Sequence, residues 1–600
     1  MSQQDRAVLK MWDEEVTKQD GHFQLPIPFR ERPPLFPNNM WVAEQRLQSL
    51  TKRLEKDEKL CSKYKQGMAD LLEKGYAEVV SEGKTDSSVW YLPHQPVVSP
   101  QKPDKVRIVF DCAATFQGKS LNDRVLQGPD LTNSLVGVLL RFRQHPVALM
   151  ADIEAMFNQV RVPPEERDAL RFLWWQDEEL QEKLVLRMCV HLFGGTWSPS
   201  CCSFALRQTA ENIHEDDKTE AVRTIRRNFY VDDCLVSVEN EDVAAKLSSD
   251  LMNLLKSGGF RLTKWLSNKP SVLMSIPEDK RAKKVKDLDL TLDALPVERA
   301  LGMTWDVQED SFVYSFVKKD KPPTRRGVLS VISSVFDPLG YASPFVIRGK
   351  MIFQELTRQK LEWDDMIPVA QLGMWKQWQQ ELSQMSTFHV KRCLKPVGME
   401  KVDSYELHNF ADASEKAYGA VSYLVAKDSG QAHSALVMAK SHLAPLKRMT
   451  IPRLELMAAT LAVKHDAMLR RELEFSIDRS VFWTDSTIVL GYIKAVDKRF
   501  KTFVANRIST IHDGSTPEQW RHVNTSTNPA DDLTQGLTVD QLATSRRWVK
   551  GPSFLTQPEA CWPRGSSATE PVDENDLEVK QSGKAAHNFA AQPDRRNRKD

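Results

Sequence analysis

The tetrapeptide Tyr230-Val231-Asp232-Asp233 constrains this chain more than any other feature, because two adjacent carboxylates interrupt an apolar run that resumes as Cys234-Leu235-Val236-Ser237-Val238. Neighbouring like charges repel, and inside a sheet they have no water to solvate them. A solvent-exposed hairpin tip is one resolution. A divalent cation is the other, and hard carboxylate oxygens at a tight turn suit Mg²⁺, which binds through a few carboxylates together with substrate phosphates. The second reading requires a third carboxylate from elsewhere in the chain.

Six hundred residues exceed what one core holds, so two to four domains are expected. Lys and Arg number 82 against 81 Asp and Glu, which leaves any nucleic-acid binding to local basic patches rather than to a global field. The eight cysteines form no Cys-x-x-Cys pair, so neither a zinc ribbon nor a disulfide framework is indicated, and a reducing compartment fits. Met1 to Asp20 is charged and has no apolar signal region. No apolar run reaches membrane-spanning length.

Residues 1–40 are rich in Pro and charge and read as an extended lead-in. Leu47, Leu50, Leu54, Leu60, Met68, Leu71 and Leu72 then recur at helical spacing, predicting one helix over 41–74. Alternating stretches predict strands at 106–110, 148–151, 184–188 and 228–238, with helices near 131–144, 165–175, 199–214 and 241–257. A helical middle over 324–400 separates these from a second mixed region. There, strands are expected at 405–411, 417–426, 432–440 and 480–484, with helices at 452–470 and 486–496. From Arg564 onward apolar residues give way to Ser, Glu, Lys and Arg, the composition of a disordered tail.

Asp152 supplies the missing third acid. It ends the apolar strand Leu149-Met150-Ala151 and is followed five residues on by Phe157, although on its own it also reads as the N-cap of a helix starting at Ile153. At this point the chain resembles the reverse transcriptases of BEL/Pao long-terminal-repeat retrotransposon polyproteins. The resemblance is carried by Trp90-Tyr91-Leu92-Pro93-His94-Gln95-Pro96, by Lys105-Val106-Arg107-Ile108-Val109-Phe110-Asp111, by Ser120-Leu121-Asn122-Asp123 and by Gln127-Gly128-Pro129-Asp130-Leu131. Val331 to Gly340 and Leu361-Glu362-Trp363-Asp364 add the pattern of that class downstream.

The resemblance implies a right-hand polymerase with Asp152, Asp232 and Asp233 as catalytic, metal-holding acids around two Mg²⁺ ions, Mn²⁺ being the alternative. It implies that Arg107 and Lys105 grip the incoming triphosphate, although basic residues alternating along an exposed strand are the plainer reading of the residues alone. Phe157 would abut the sugar, against the alternative of a core aromatic. Gly194, in Phe193-Gly194-Gly195-Thr196-Trp197-Ser198-Pro199, would lie by the nucleotide, and Phe193 stands where many retroviral enzymes carry Gln. Lys264 would sit near the leaving pyrophosphate, and Leu301, Gly302 and Trp305 would hold the primer. The basic runs Lys280, Arg281, Lys283, Lys284, Lys286 and Lys318, Lys319, Lys321, Arg325, Arg326 are candidate phosphate contacts or simply solvated faces.

A second set of acids follows. Asp412 ends a strand, Glu455 opens a helix after Ile451-Pro452-Arg453-Leu454, Asp485 ends another strand, and Asp531 or its neighbour Asp532 closes the series. The order resembles ribonuclease H, in which four acids around two metals cut a phosphodiester. His522, ahead of the last acid, reads as a product-release residue or as a solvated loop histidine. An aspartic peptidase, the competing assignment for this region, needs Asp-Thr/Ser-Gly, and neither Asp412-Ala413-Ser414 nor Asp485-Ser486-Thr487 supplies it.

The expected architecture is therefore α+β and multidomain. A lead-in and helix occupy 1–85, fingers and palm 86–270, primer grip, thumb and connection 271–400, a ribonuclease H-like α/β domain 401–550 and a disordered tail 551–600. The expected partners are an RNA template, a DNA primer, RNA–DNA hybrid, deoxynucleoside triphosphates and other parts of such a polyprotein, with no membrane. The chain reads as a fragment of such a polyprotein, placed in the cytoplasm, in virus-like particles or in the nucleus. A degenerate or host-recruited fragment that only binds nucleic acid is the alternative, and the presence of all seven acids argues against it.

Overall fold

The computed structural model describes all residues except 81–87, 100–101, 177–181, 212–219, 287, 317–320, 396–397, 400, 565–571, 574–575 and 581–600. The side chains of 99 and 102–105, the calls on Lys318 and Lys319, the end of the expected helix over 199–214 and most of the expected tail lie outside the described residues. The chain forms two compact units, Met1–Phe312 with Lys391–Lys395, and Val313–Val390 with Pro396–Asp600. No described helix is long and apolar enough to cross a membrane.

The first unit is organised by a four-stranded antiparallel sheet of β1 (Val147–Ile153), β2 (Phe229–Tyr230), β3 (Asp233–Val238) and β4 (Leu262–Ser267), in the order β4-β1-β3-β2. Helices Leu135–Phe142 and Glu241–Ser257 pack on it. The second of these starts at an Asn240 cap that accepts from the Val243 amide, at the boundary that the helical spacing marks.

Three expectations for this unit fail. The lead-in is not extended: Gln3–Glu15 is a helix with a Ser2 capping box, and fully buried Trp12 donates from Nε1 to the Pro26 carbonyl at 3.1 Å. The single helix over 41–74 is two, Met40–Leu54 and Glu58–Glu73, because Asp57 caps the second by accepting from the Leu60 amide at 3.0 Å. The helix expected at 165–175 is a short 3₁₀ turn, Pro164–Leu170, followed by the strand Arg171–Trp175, whose consecutive bulky residues pair antiparallel with Lys183–Met188.

The second unit holds helices Arg325–Ile332, Ser343–Arg358 and Val369–Leu382 and a five-stranded sheet. The sheet comprises β5 (Ser404–Ala413), β6 (Ala417–Lys427), β7 (Ala432–Leu443), β8 (Ile477–Thr484) and β9 (Trp520–His522), in the order β7-β6-β5-β8-β9. The first three are antiparallel and the last two join in parallel. Helix Ile451–Glu472 crosses β5 and β6, burying Leu454, Leu456, Ala458, Ala459 and Ala462. Helix Thr502–Gly514 and strand β9 lie outside the expected elements, the strand because three residues are too few to show an alternation. The tail does not begin at 551, since Phe554, Leu555 and Trp562 are buried and Trp562 packs on His408 and Trp483.

Candidate active sites

The carboxylates of the first unit meet because of strand register. Asp233 pairs directly with Asp152 across β3 and β1, and the Ile153 amide donates to the Asp232 carbonyl at 2.8 Å. The chain turns between β2 and β3 through Val231, held in the left-handed region at φ +56°, a conformation that a β-branched residue avoids. On the other side of β1, a bulge between Thr263 and Leu266 puts Lys264 at φ +56°, and its Nζ lies 2.6 Å from Asp152 Oδ1.

Burial and the neighbouring acids push Asp233 up to about 7 and raise Asp232 as well, while Lys264 opposes both and Arg107 opposes the shift of Asp232. Arg107 is exposed on the Lys102–Phe110 strand, and its charge reaches Asp232; the Lys105 side chain is outside the described residues. The charges of Asp152, Asp232 and Asp233 repel one another, which a divalent cation would relieve, although their oxygens do not gather within 4.8 Å as those of the second unit's acids do.

The remaining polymerase candidates separate. Phe157 is buried and stacks edge-on against half-exposed Phe193 at 4.5 Å between ring centroids, so these two residues form one aromatic step. Gly194, at φ +115°, passes so close to the Phe110 carbonyl that a Cβ would lie 2.1 Å from its oxygen, which explains the glycine by packing. Leu301 and Gly302 are both left-handed and form the two-residue turn between Val297–Ala300 and Met303–Asp306. Trp305 corrects the expectation of a primer contact. It is fully buried, donates from Nε1 to Asp310 Oδ1 at 3.0 Å and packs on Phe142, so it supports the hairpin from within. The basic runs are also largely engaged within the chain: Lys284 with Glu298, Lys286 with the Asp279 carbonyl and Arg326 with Asp364.

In the second unit Asp412 ends β5, Glu455 lies in the second turn of its helix, and Asp485 follows β8. Their ligand oxygens lie within 4.8 Å of one another, in a cavity of about 390 Å³ that Asp531, Thr525, Gln535 and Pro452 also line. Glu455 Oε2 and Asp485 Oδ1 are buried and accept no hydrogen bond. Burial, compounded by the other acids, pushes Glu455 up to about 9 and Asp412 up to about 7. Buried oxygens without donors, among acids that resist ionising together, fit a divalent metal.

The cavity separates the two C-terminal acids. Asp531 lines it, whereas Asp532 is buried and pairs with Arg547. Thr534, itself buried, donates to Asp412 Oδ2, and Asn528 donates to the Ala411 carbonyl at 3.1 Å, tying the Asp531 segment to the end of β5. His522 is partly exposed on β9 and is not among the residues lining the cavity.

Residues 324–486 match the family model described as Pao retrotransposon-like RNaseH-like domain. The matched segment contains Asp412, Glu455 and Asp485 and stops short of Asp531. Among solved structures, the fold is similar to that of the foamy viral protease–reverse transcriptase dRH in complex with double-stranded DNA, at 13% identity and a TM-score of 0.51, over 87% of this chain and 79% of that one. It is also similar to the foamy viral protease–reverse transcriptase in complex with double-stranded DNA, at 14% identity and a TM-score of 0.50, over 87% of this chain and 94% of that one. No curated protein sequence matches.

Two participants in the second unit's site carried no signal in the sequence: Thr525 and Thr534 donate to Asp485 and Asp412 across separations that no local pattern encodes.

Proposed function

We propose that this chain is an RNA-directed DNA polymerase whose second unit cuts the RNA strand of the resulting RNA–DNA hybrid. The observation that carries the polymerase reading is the register pairing of Asp152 with Asp233, which brings three carboxylates to one end of the sheet with Lys264 and the charge of Arg107 facing them. Paired Mg²⁺ ions, when bound, lower the pKa of an attacking hydroxyl or water and neutralise charge on the phosphate.

Asp152, Asp232 and Asp233 hold that charge where a primer 3′-hydroxyl meets a deoxynucleoside triphosphate. Arg107 and Lys105 engage the triphosphate, and Lys264, already directed at the acids, moves to the departing pyrophosphate. The Phe157–Phe193 step forms the floor under the sugar. Leu301 and Gly302 present the turn to the primer. In the second unit Asp412, Glu455, Asp485 and Asp531 position water against the RNA phosphodiester, and Thr534 and Thr525 fix the carboxylate rotamers.

The test is primer extension on an RNA template together with cutting of a hybrid. Wild-type protein extends and cuts; Asp232→Asn with Asp233→Asn stops extension and leaves cutting, and Asp485→Asn does the reverse. A wild-type chain that binds hybrid tightly and does neither would establish a nucleic-acid-binding retroelement remnant instead.

A further inference from the structure

Beside the acid cavity of the second unit lies a cationic surface that the chain covers with its own carboxylates. Arg453, between the cavity-lining residues Pro452 and Glu455, makes a bidentate pair with Glu578 at 2.6 and 3.0 Å. Tyr492 donates its hydroxyl to Asp576 at 2.9 Å. The segment Asp576–Lys580 is held as a short antiparallel addition: Phe500 bridges Val579, the Lys501 amide donates to the Glu578 carbonyl at 2.7 Å, and the Lys580 amide donates to the Arg499 carbonyl at 2.7 Å. Beneath it, the guanidinium groups of Arg453 and Arg507 share one ring, lying 5.0 and 3.5 Å from the Phe503 centroid, while Arg499 and Lys501 are exposed on either side of Phe500. Two guanidinium groups on one aromatic ring repel and call for an anion, and the fork of Arg453 accepts phosphate in the same bidentate geometry as carboxylate.

We propose that the Arg453–Arg507–Tyr492 surface is a phosphodiester-backbone site for the hybrid and that the Asp576–Glu578 segment is a built-in competitor, which must leave before the hybrid occupies it. The inference rests on the hybrid-cutting reading above and adds its regulation. Leu577, between the two anchoring acids, is 83% exposed, so the segment is held at its acids and at Val579 rather than along its length. A polyanion that engages several of these cations at once and releases counterions can displace such a hold.

The test uses the full chain in EDTA, with an RNA–DNA hybrid duplex as the probe, so that binding is read without cutting. Hydrogen exchange at the Lys501 and Lys580 amides should accelerate about tenfold or more when hybrid saturates the protein. Glu578→Gln, and separately Asp576→Asn, should tighten hybrid binding about three- to tenfold, and the gain of Glu578→Gln should vanish when Arg453→Gln is added. Amides that stay protected with hybrid bound, or affinities unchanged or weakened in both variants, overturn the proposal. A wild type that never cuts hybrid in Mg²⁺ instead refutes the cutting reading, and the exchange and affinity results decide this inference without it.

Discussion

Lys264 shows how one side chain works through its neighbours' charge. Its ion pair with Asp152 is more than half exposed on the lysine side, so it adds little to stability, about 0–1 kcal/mol. Its charge does oppose the upward push on Asp233, whose pKa already stands at about 7. Lys264→Met is therefore expected to leave unfolding by urea nearly unchanged, to slow primer extension about tenfold or more, and to move the acid limb of its pH profile upward. An acid limb that stays in place would assign Lys264 a purely steric role.

The buried acids of the second unit give a signed pH dependence. Asp412 and Glu455 stand at about 7 and about 9 in the fold, against about 4 in the unfolded chain. Because the folded state holds these protons more tightly, the stability these two groups contribute is fully present below about pH 4 and is lost as pH rises through these folded values. In EDTA the melting temperature should fall over that window, and Mg²⁺ should recover progressively more of it as pH rises, since binding must expel the protons. Glu455→Gln should abolish hybrid cutting while flattening the slope. A melting temperature that rises with pH in EDTA would contradict the assignment.

At the scale of elements, the turn from β2 to β3 and the loop at Gly194 place opposite demands on the chain. Val231 holds a left-handed conformation that costs of order 1–3 kcal/mol for a branched residue, and that strain helps set where Asp232 and Asp233 point. Val231→Gly is expected to raise stability by about 1 kcal/mol in urea titration, the relief exceeding glycine's entropic cost, while slowing extension because the turn loses its fixed shape. Gly194→Ala meets the Phe110 carbonyl as well as an unfavourable φ, and should cost about 3 kcal/mol or more, or fail to fold.

Much of this was legible locally. The periodicity at Asn240–Ser257, the alternation through β1 and β3 and the acids ending β5 and β8 are properties of a few consecutive residues. Arg171–Trp175 forms a strand against the helical expectation because a short run of bulky apolar residues satisfies either period, and only its pairing with Lys183–Met188 decides.

At the scale of the molecule, the two acid sets lie in different compact units, Asp152, Asp232 and Asp233 in Met1–Phe312 and Asp412, Glu455, Asp485 and Asp531 in Pro396–Asp600. Unfolding is then expected in two steps, and Glu455→Gln should shift one while leaving the other within experimental error. A single transition that moves as a whole would show the units to be thermodynamically fused.

The sequence by itself determined which acids this protein has, their order and the strand or helix end near which each falls, because those features follow from side-chain period and the chemistry of neighbouring residues. Tertiary structure alone decided the rest. It directed Asp531 rather than Asp532 to the cavity, since Arg547 takes the other; it buried Trp305 within the first unit; it folded Trp12 into a core; and it brought Glu578 to Arg453 across more than a hundred residues. Each of these is a contact between distant segments, and its partner is set by burial and register, which no window of neighbouring residues contains.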